Sequence, residues 1–75
     1  GIINILNLAY DRNEKINLEE IAFRAISSQN LDVLYWVLER LENPESIDKF
    51  IAHNREPRDE RIAAILNAYK KQMLL

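Results

Sequence analysis

Leu31-Asp32-Val33-Leu34-Tyr35-Trp36-Val37-Leu38-Glu39-Arg40-Leu41-Glu42 is the stretch on which the fold turns. At about 100° per residue, Leu31, Val33, Leu34, Val37, Leu38 and Leu41 fill one broad arc. Tyr35 and Trp36 flank that arc on either side, and the only charges are Asp32, Glu39, Arg40 and Glu42. A helix so apolar around its circumference belongs inside its domain, with neighbours on more than one side. The spacing therefore predicts a central helix over 31–42. Tyr35 and Trp36 then either fill seams between stacked helices or anchor a partner, and the seam is favoured.

Working outward, the same three-and-four periodicity continues in both directions. Ser27-Ser28-Gln29-Asn30 is a polar turn of a length that joins antiparallel helices. Before it, Leu18, Ile21, Ala22, Ala25 and Ile26 form one apolar face. Asn17 with Glu20 fits a capping box, and Glu19 and Glu20 suit the positive helix start. An apolar helix over about 2–9 opens the chain, followed by the polar run Asp11-Arg12-Asn13-Glu14-Lys15. After the centre, Asn43-Pro44 places a cap and a first-turn proline at the head of a helix over 44–53, with Ile47, Phe50 and Ile51 inward. Asn54-Arg55-Glu56 leads to Pro57 and a last helix over 57–73. Its stripe is Ile62, Ile65, Leu66, Tyr69 and Met73; Arg58, Asp59, Glu60, Asn67, Lys70 and Lys71 lie opposite. The fold class expected is all-α, with about five short antiparallel helices.

Composition sets hard limits on chemistry. The 75 residues fit one domain over 1–75, near the lower limit for a self-sufficient core. With no cysteine there is neither a disulfide framework nor a thiolate. The one glycine, Gly1, excludes a glycine-rich phosphate loop. His53 is the only histidine, so no multi-histidine metal site can form; it suits the negative end of its helix. Glu19-Glu20 and Asp59-Glu60 are adjacent pairs, and helix neighbours diverge rather than converge on one metal or substrate. Ser27-Ser28 has no base nearby in sequence and reads as a turn. No catalytic, cofactor or metal site is expected. No run approaches the ~18 apolar residues of a membrane span, and no charged segment precedes the apolar start as in a signal peptide. The opening Gly1-Ile2-Ile3, without an initiator methionine, suggests a piece of a larger protein.

Net charge is −2, unevenly spread. Residues 1–54 carry five basic and nine acidic side chains; the remainder carries five and three. The positive last third could steer an acidic partner, although a solvated helix face accounts for it as well. A helix-turn-helix reading would make 31–42 the recognition helix, yet its one basic residue is Arg40. Nucleic acid is therefore not expected as a partner.

The helices also repeat. Leu34, Val37, Leu38 and Leu41 fall on Ile62, Ile65, Leu66 and Tyr69 at a constant offset of 28, and Ala25-Ile26 falls on Ile51-Ala52 at 26. Leu31 to Glu39 resembles the second-helix pattern L-E-V-V-K-x-L-L-E of ankyrin repeats. Ile21 to Asn30 stands where L-H-x-A-A-x-x-G-H would, and Ala9 to Lys15 is similar to the G-A-D-x-N-x-x run that leaves a helix pair. The resemblance is clearest over 14–43. The T-P-L-H signature is missing, Ser28-Gln29 replaces the turn glycine, and Arg40 stands in place of the glycine after the second helix. The resemblance implies an ankyrin-like stack of helical hairpins; a small helical bundle is the alternative architecture.

What the resemblance implies for function is a non-enzymatic protein–protein interaction or scaffolding module. Its partner-binding surface would be the side of the short first helices and the turns before them: Asp11, Arg12, Asn13, Lys15, Phe23, Arg24 and Arg55. The partner would be another protein or the rest of the parent chain. The second reading is a structural helical subdomain supporting a catalytic region elsewhere in that chain. Ile2, Ile3, Ile5, Leu6, Leu8 and Ala9 leave the first helix with little polar surface, so a further helix is expected to cover it. Uncovered, residues 2–8 would pair two copies into a homodimer.

Overall fold

In the computed structural model the described residues are 1–12, 15–55 and 58–74. They form five helices: α1 (Ile2–Asp11), α2 (Leu18–Ser28), α3 (Leu31–Arg40), α4 (Pro44–His53) and α5 (Glu60–Leu74). The fold is all-α, a small helical bundle. Asn13, Glu14, Glu56 and Pro57 lie outside the described residues.

Asparagine side chains start the helices. Asn17 Oδ1 accepts from the Glu20 N–H, Asn30 Oδ1 from Val33 and Asn43 Oδ1 from Glu45. Each satisfies a donor that the first turn leaves free. The turn between α2 and α3 is built on Gln29, whose φ of 56° is left-handed. The Gln29 N–H donates to the Ile26 carbonyl and the Asn30 N–H to the Ala25 carbonyl, a Schellman closure. Asn30 thus ends one helix and caps the next.

Some boundaries differ from the sequence expectation, and α1 runs on through Asp11 rather than ending near 9. The central helix stops at Arg40, because Leu41 turns extended (φ −75°, ψ 132°) and the residue before Pro44 is held extended too. The last helix starts at Glu60 rather than 57. Asp59 is its cap: Oδ1 accepts from the N–H groups of Arg61 and Ile62, and the Asp59 carbonyl takes the Ala63 N–H. Asp59 is therefore buried and not on the wet face of α5.

The helices pair by direction. α2 and α3 form an antiparallel hairpin, the most extensive contact in the chain, and α4 and α5 form a second. α2 and α4 lie side by side and parallel. Near their starts Glu19 accepts from Ser46 and Lys49; at their ends Ser27 meets His53. α1 runs alongside α3: Asn7 Oδ1 accepts from Trp36 Nε1 at 2.7 Å and from Arg40 at 3.1 Å. On the other flank of α3, the Tyr35 and Tyr69 rings lie 6.3 Å apart. The slab measures 32 × 28 × 15 Å. Its thickness suits two helix layers at the usual ~8–10 Å spacing.

The core runs between the layers. Leu34, Val37, Ile47, Phe50, Ile62 and Leu66 are fully buried, with Ala22, Ala25, Ile26, Val33, Trp36 and Leu38 around them. Trp36 fills the α1–α3 seam, edge-on to Tyr10 at 5.8 Å with Arg40 over its face at 4.1 Å. Tyr35 stays exposed.

Two substitutions probe this fold. Leu38→Ala is expected to cost about 2–5 kcal/mol in a denaturant melt, close to the whole stability of so small a domain. A loss under ~1 kcal/mol would mean that α3 is not the centre. Gln29→Gly is expected to stabilise by roughly 0.5–1 kcal/mol, relieving a side chain held in the left-handed region.

Candidate interaction surface

Among the described residues four hollows mark the slab: one of about 480 Å³ lies between the α2–α3 turn and Arg61, and of the other three, one lies at each end and one across the short helices. The first of these three is apolar and lies between α1 and the α2–α3 hairpin. Ile2, Leu6, Ile21, Ala25 and Val33 line it, with Arg24, Ser28 and Asn30 at its rim, and its volume is about 260 Å³. It exists because α1 is pinned to α3 through Asn7 and Trp36 while making little contact with α2. Beside it, Ile2, Ile5 and Leu8 are exposed by 56%, 66% and 55%. No residue of α1 is buried.

The second hollow, about 350 Å³, spans α2 and α4 and is lined by Phe23, Arg24, Ser27, Ser28 and His53. Phe23 stands edge-on to Phe50 at 5.6 Å and tilted over His53 at 4.9 Å. Ser27 Oγ and His53 Nε2 are 3.1 Å apart. That distance is within reach of a nucleophile–base pair, a partnership hidden by a separation of 26 positions in sequence. The clue available in the sequence was the same 26-residue offset that relates Ala25-Ile26 to Ile51-Ala52. Among the described residues no carboxylate bonds His53; its ring packs on Phe23, and the pair joins α2 to α4.

The third hollow, about 370 Å³, lies between α4 and α5 and is lined by Ile51, Asn54, Arg55, Arg58, Ala63 and Asn67. Its floor is a closed hydrogen-bond ring. Asn54 Oδ1 accepts from the Asp59 N–H and Asn54 Nδ2 donates to the Asp59 carbonyl, each at 3.0 Å. The Arg61 guanidinium hydrogen-bonded to Asp59 holds the Asp59 carboxyl below its ordinary value, helped by the N–H groups of Arg61 and Ile62, and Asp59 in turn raises Arg61.

The residues singled out by sequence do not form one patch. Phe23 and Arg24 share the second hollow, with Phe23 half-buried and Arg24 exposed and paired to Glu20. Asp11, Arg12 and Lys15 are exposed around the link from α1 to α2. Arg55 lies just beyond the C-terminal end of α4, so the length of a helix, ~16 Å, separates it from Lys15 at the start of α2. Asn13 lies outside the described residues. The apolar groove beside α2 was visible in sequence only as the unbroken hydrophobicity of 2–9. Its other wall depends on where α1 settles.

Among the described residues no group of three or more His, Cys, Asp or Glu side chains is placed to hold a metal, and no helix is long and apolar enough to cross a membrane. Comparison of the chain with protein-family models, with curated proteins and with solved structures finds no match.

Asp59 gives the end of the slab an acid sensitivity. Its carboxylate is held low, so its contribution is complete above the unfolded value of about 3.9 and is lost as pH falls through the lower folded value. Thermal melts between pH 2 and 6 are expected to show an acid-side loss that Asp59→Asn, which keeps the cap, removes. An acid limb of the same depth in both chains would assign the sensitivity elsewhere.

Proposed function

We propose that this chain is a non-enzymatic protein–protein interaction or scaffolding module, built as an ankyrin-like stack of helical hairpins. One observation carries the reading. α2 lies parallel to α4, with facing side chains 26 to 30 residues apart near both ends, so that layer continues by near-translation. A slab extended that way presents a broad face with few deep cavities, which suits another protein's surface better than a small substrate.

On this reading the partner meets the α2 side of the slab. Phe23 supplies an aromatic held by Phe50 and His53, Arg24 a charge beside it, and Asp11, Arg12 and Lys15 a mixed-charge rim, with Arg55 beyond the end of α4; Asn13, the remaining member of the set, lies outside the described residues. The second reading, a structural subdomain supporting a catalytic region of a parent chain, draws on the exposed Ile2, Ile5 and Leu8 of α1.

The experiment is capture of a partner on the immobilised chain, identified by mass spectrometry and remade pure for titration. Arg24→Glu and Lys15→Glu, both at exposed positions, are expected to weaken the purified pair at least tenfold together while circular dichroism stays unchanged. No saturable partner, or a partner indifferent to both substitutions, would overturn the reading.

A further inference from the structure

The link from α4 to α5 brings two guanidinium groups to one hollow. Its ends are clamped by the buried Asn54, whose amide holds both the N–H and the carbonyl of the buried Asp59 at 3.0 Å. Arg55 and Arg58 stand just inside the two ends of that clamp, and both line the 370 Å³ hollow between α4 and α5. Asn67 faces them from α5, one turn beyond Ala63, and Ile51 and Ala63 add a short apolar wall. Among the described residues no carboxylate lines this hollow. Asp59, the acid beside Arg58 in sequence, is committed elsewhere. Its Oδ1 caps α5 through the Arg61 and Ile62 N–H groups, and its Oδ2 accepts from the Arg61 guanidinium at 3.0 Å. Arg58 meets Glu60 at 3.3 Å, but these side chains are 58% and 79% exposed, and so wet a pair contributes little and exchanges readily. Among the described residues no ion pair engages Arg55.

We propose that the Arg55–Arg58 hollow binds a phosphate monoester carried by a segment of a partner protein, a phosphoserine or phosphothreonine. The inference deepens the interaction-module reading and rests on it for the source of the phosphate. Charge and donor number select the group. A carboxylate offers two oxygens and is satisfied by one guanidinium fork, whereas a phosphate monoester is close to a dianion with three acceptor oxygens. Two forks and the Asn67 amide supply donors for all three, in the manner of arginine clusters that read phosphorylated segments. Ile51 and Ala63 give the carbon that bears the phosphate an apolar wall to lie on, which a free ion does not use. The clamp fixes the backbone on either side of the arginine pair, so little order has to be gained on binding. The excess of basic over acidic side chains from residue 55 onward draws the same anion toward this end of the slab.

The probe is a short alanine peptide with a central phosphoserine, titrated into the isotope-labelled chain beside its unphosphorylated form, inorganic phosphate and a single-stranded oligouridylate. Expected are saturable amide shifts centred on Arg55, Arg58, Ala63 and Asn67, with the phosphopeptide the tightest of the four. Arg55→Gln with Arg58→Gln, both at exposed positions, is expected to weaken it at least tenfold with the thermal melt unchanged. The double lysine variant, which keeps the charge and loses the forks, is expected to weaken it severalfold, and Glu60→Gln to strengthen it by removing the competing carboxylate. The proposal is overturned by no saturable shift up to millimolar phosphopeptide, by equal binding of the unphosphorylated form, or by a double lysine variant that binds like the native chain. Inorganic phosphate binding as tightly as the peptide would make this a site for a free ion, and tighter binding of oligouridylate would assign it to nucleic acid; either outcome also removes the proposal. A captured partner that responds to Arg24→Glu and Lys15→Glu but ignores Arg55 and Arg58 would keep the module and discard this site, so the two readings fail separately.

Discussion

Burial of α3 is the constraint to which every other element answers. Ten residues include five that are buried, Val33, Leu34, Trp36, Val37 and Leu38, and they do not share one side of the helix. A single neighbour cannot cover such a circumference. α2 folds back on it through the tightest turn in the chain, α1 closes the Trp36 flank, and α5 reaches the Tyr35 flank through Tyr69. That last contact is partly dry. Burial, followed by the charge of Glu39 and the neighbouring Tyr35, raises the Tyr69 hydroxyl. Four helices, each too short to persist alone, become stable by sharing this one.

Turning so often without internal glycine demands another chemistry, and asparagine supplies it. Asn17, Asn30 and Asn43 each lend a side-chain oxygen to a helix start, and Asn54 clamps both backbone groups of Asp59 across the last loop. The left-handed position that glycine fills at low steric cost falls to Gln29. The turn holds because Asn30 is committed twice, its N–H to Ala25 and its side chain to Val33. Among the described residues no buried side-chain polar atom lacks a partner. In a core this small, one unpaired group would cost a sizeable fraction of the total stability.

Helix positions were legible in sequence because the apolar spacing and the Asn caps agree with each other. Asn17 with Glu20 and Asn43 with Pro44 mark the starts of α2 and α4 at the residues observed. Where the two signals separate, the boundary moves. Pro57 pointed to an early start for the last helix, yet the helix begins after the buried Asp59, whose role depends on Asn54 reaching it across the loop. Leu41 continues the apolar arc of α3 in sequence, yet extends to make room for the Asn43 cap. Trp36 shows the limit more sharply. Its place on the edge of the arc left seam and surface both open, and only the arrival of Asn7 and Tyr10 from α1 decides for the seam. The Ser27–His53 clasp is of the same kind: both residues are ordinary in sequence, and adjacency comes from α2 and α4 lying parallel.

The layers are unequal, with α1, α3 and α5 in one and α2 and α4 in the other. A helix pair buries one stripe on each member, and a stack lets each second helix bury another stripe on the next. α3 is dry on its α2 and α1 flanks, while Tyr35 on the α5 flank stays exposed. α5 leaves one polar face to water, where Lys71 and Gln72 are exposed and Lys70 pairs with Asp48. α1 packs chiefly on α3. Its seam with α3 is anchored by a charge-assisted hydrogen bond from Arg40 and by an aromatic cluster. Ile2, Ile5 and Leu8 leave an apolar stripe exposed along α1. The same asymmetry explains why the chain's apolar groove lies against α1, while the hollow at the α5 end is lined by Arg55, Arg58 and Asn67.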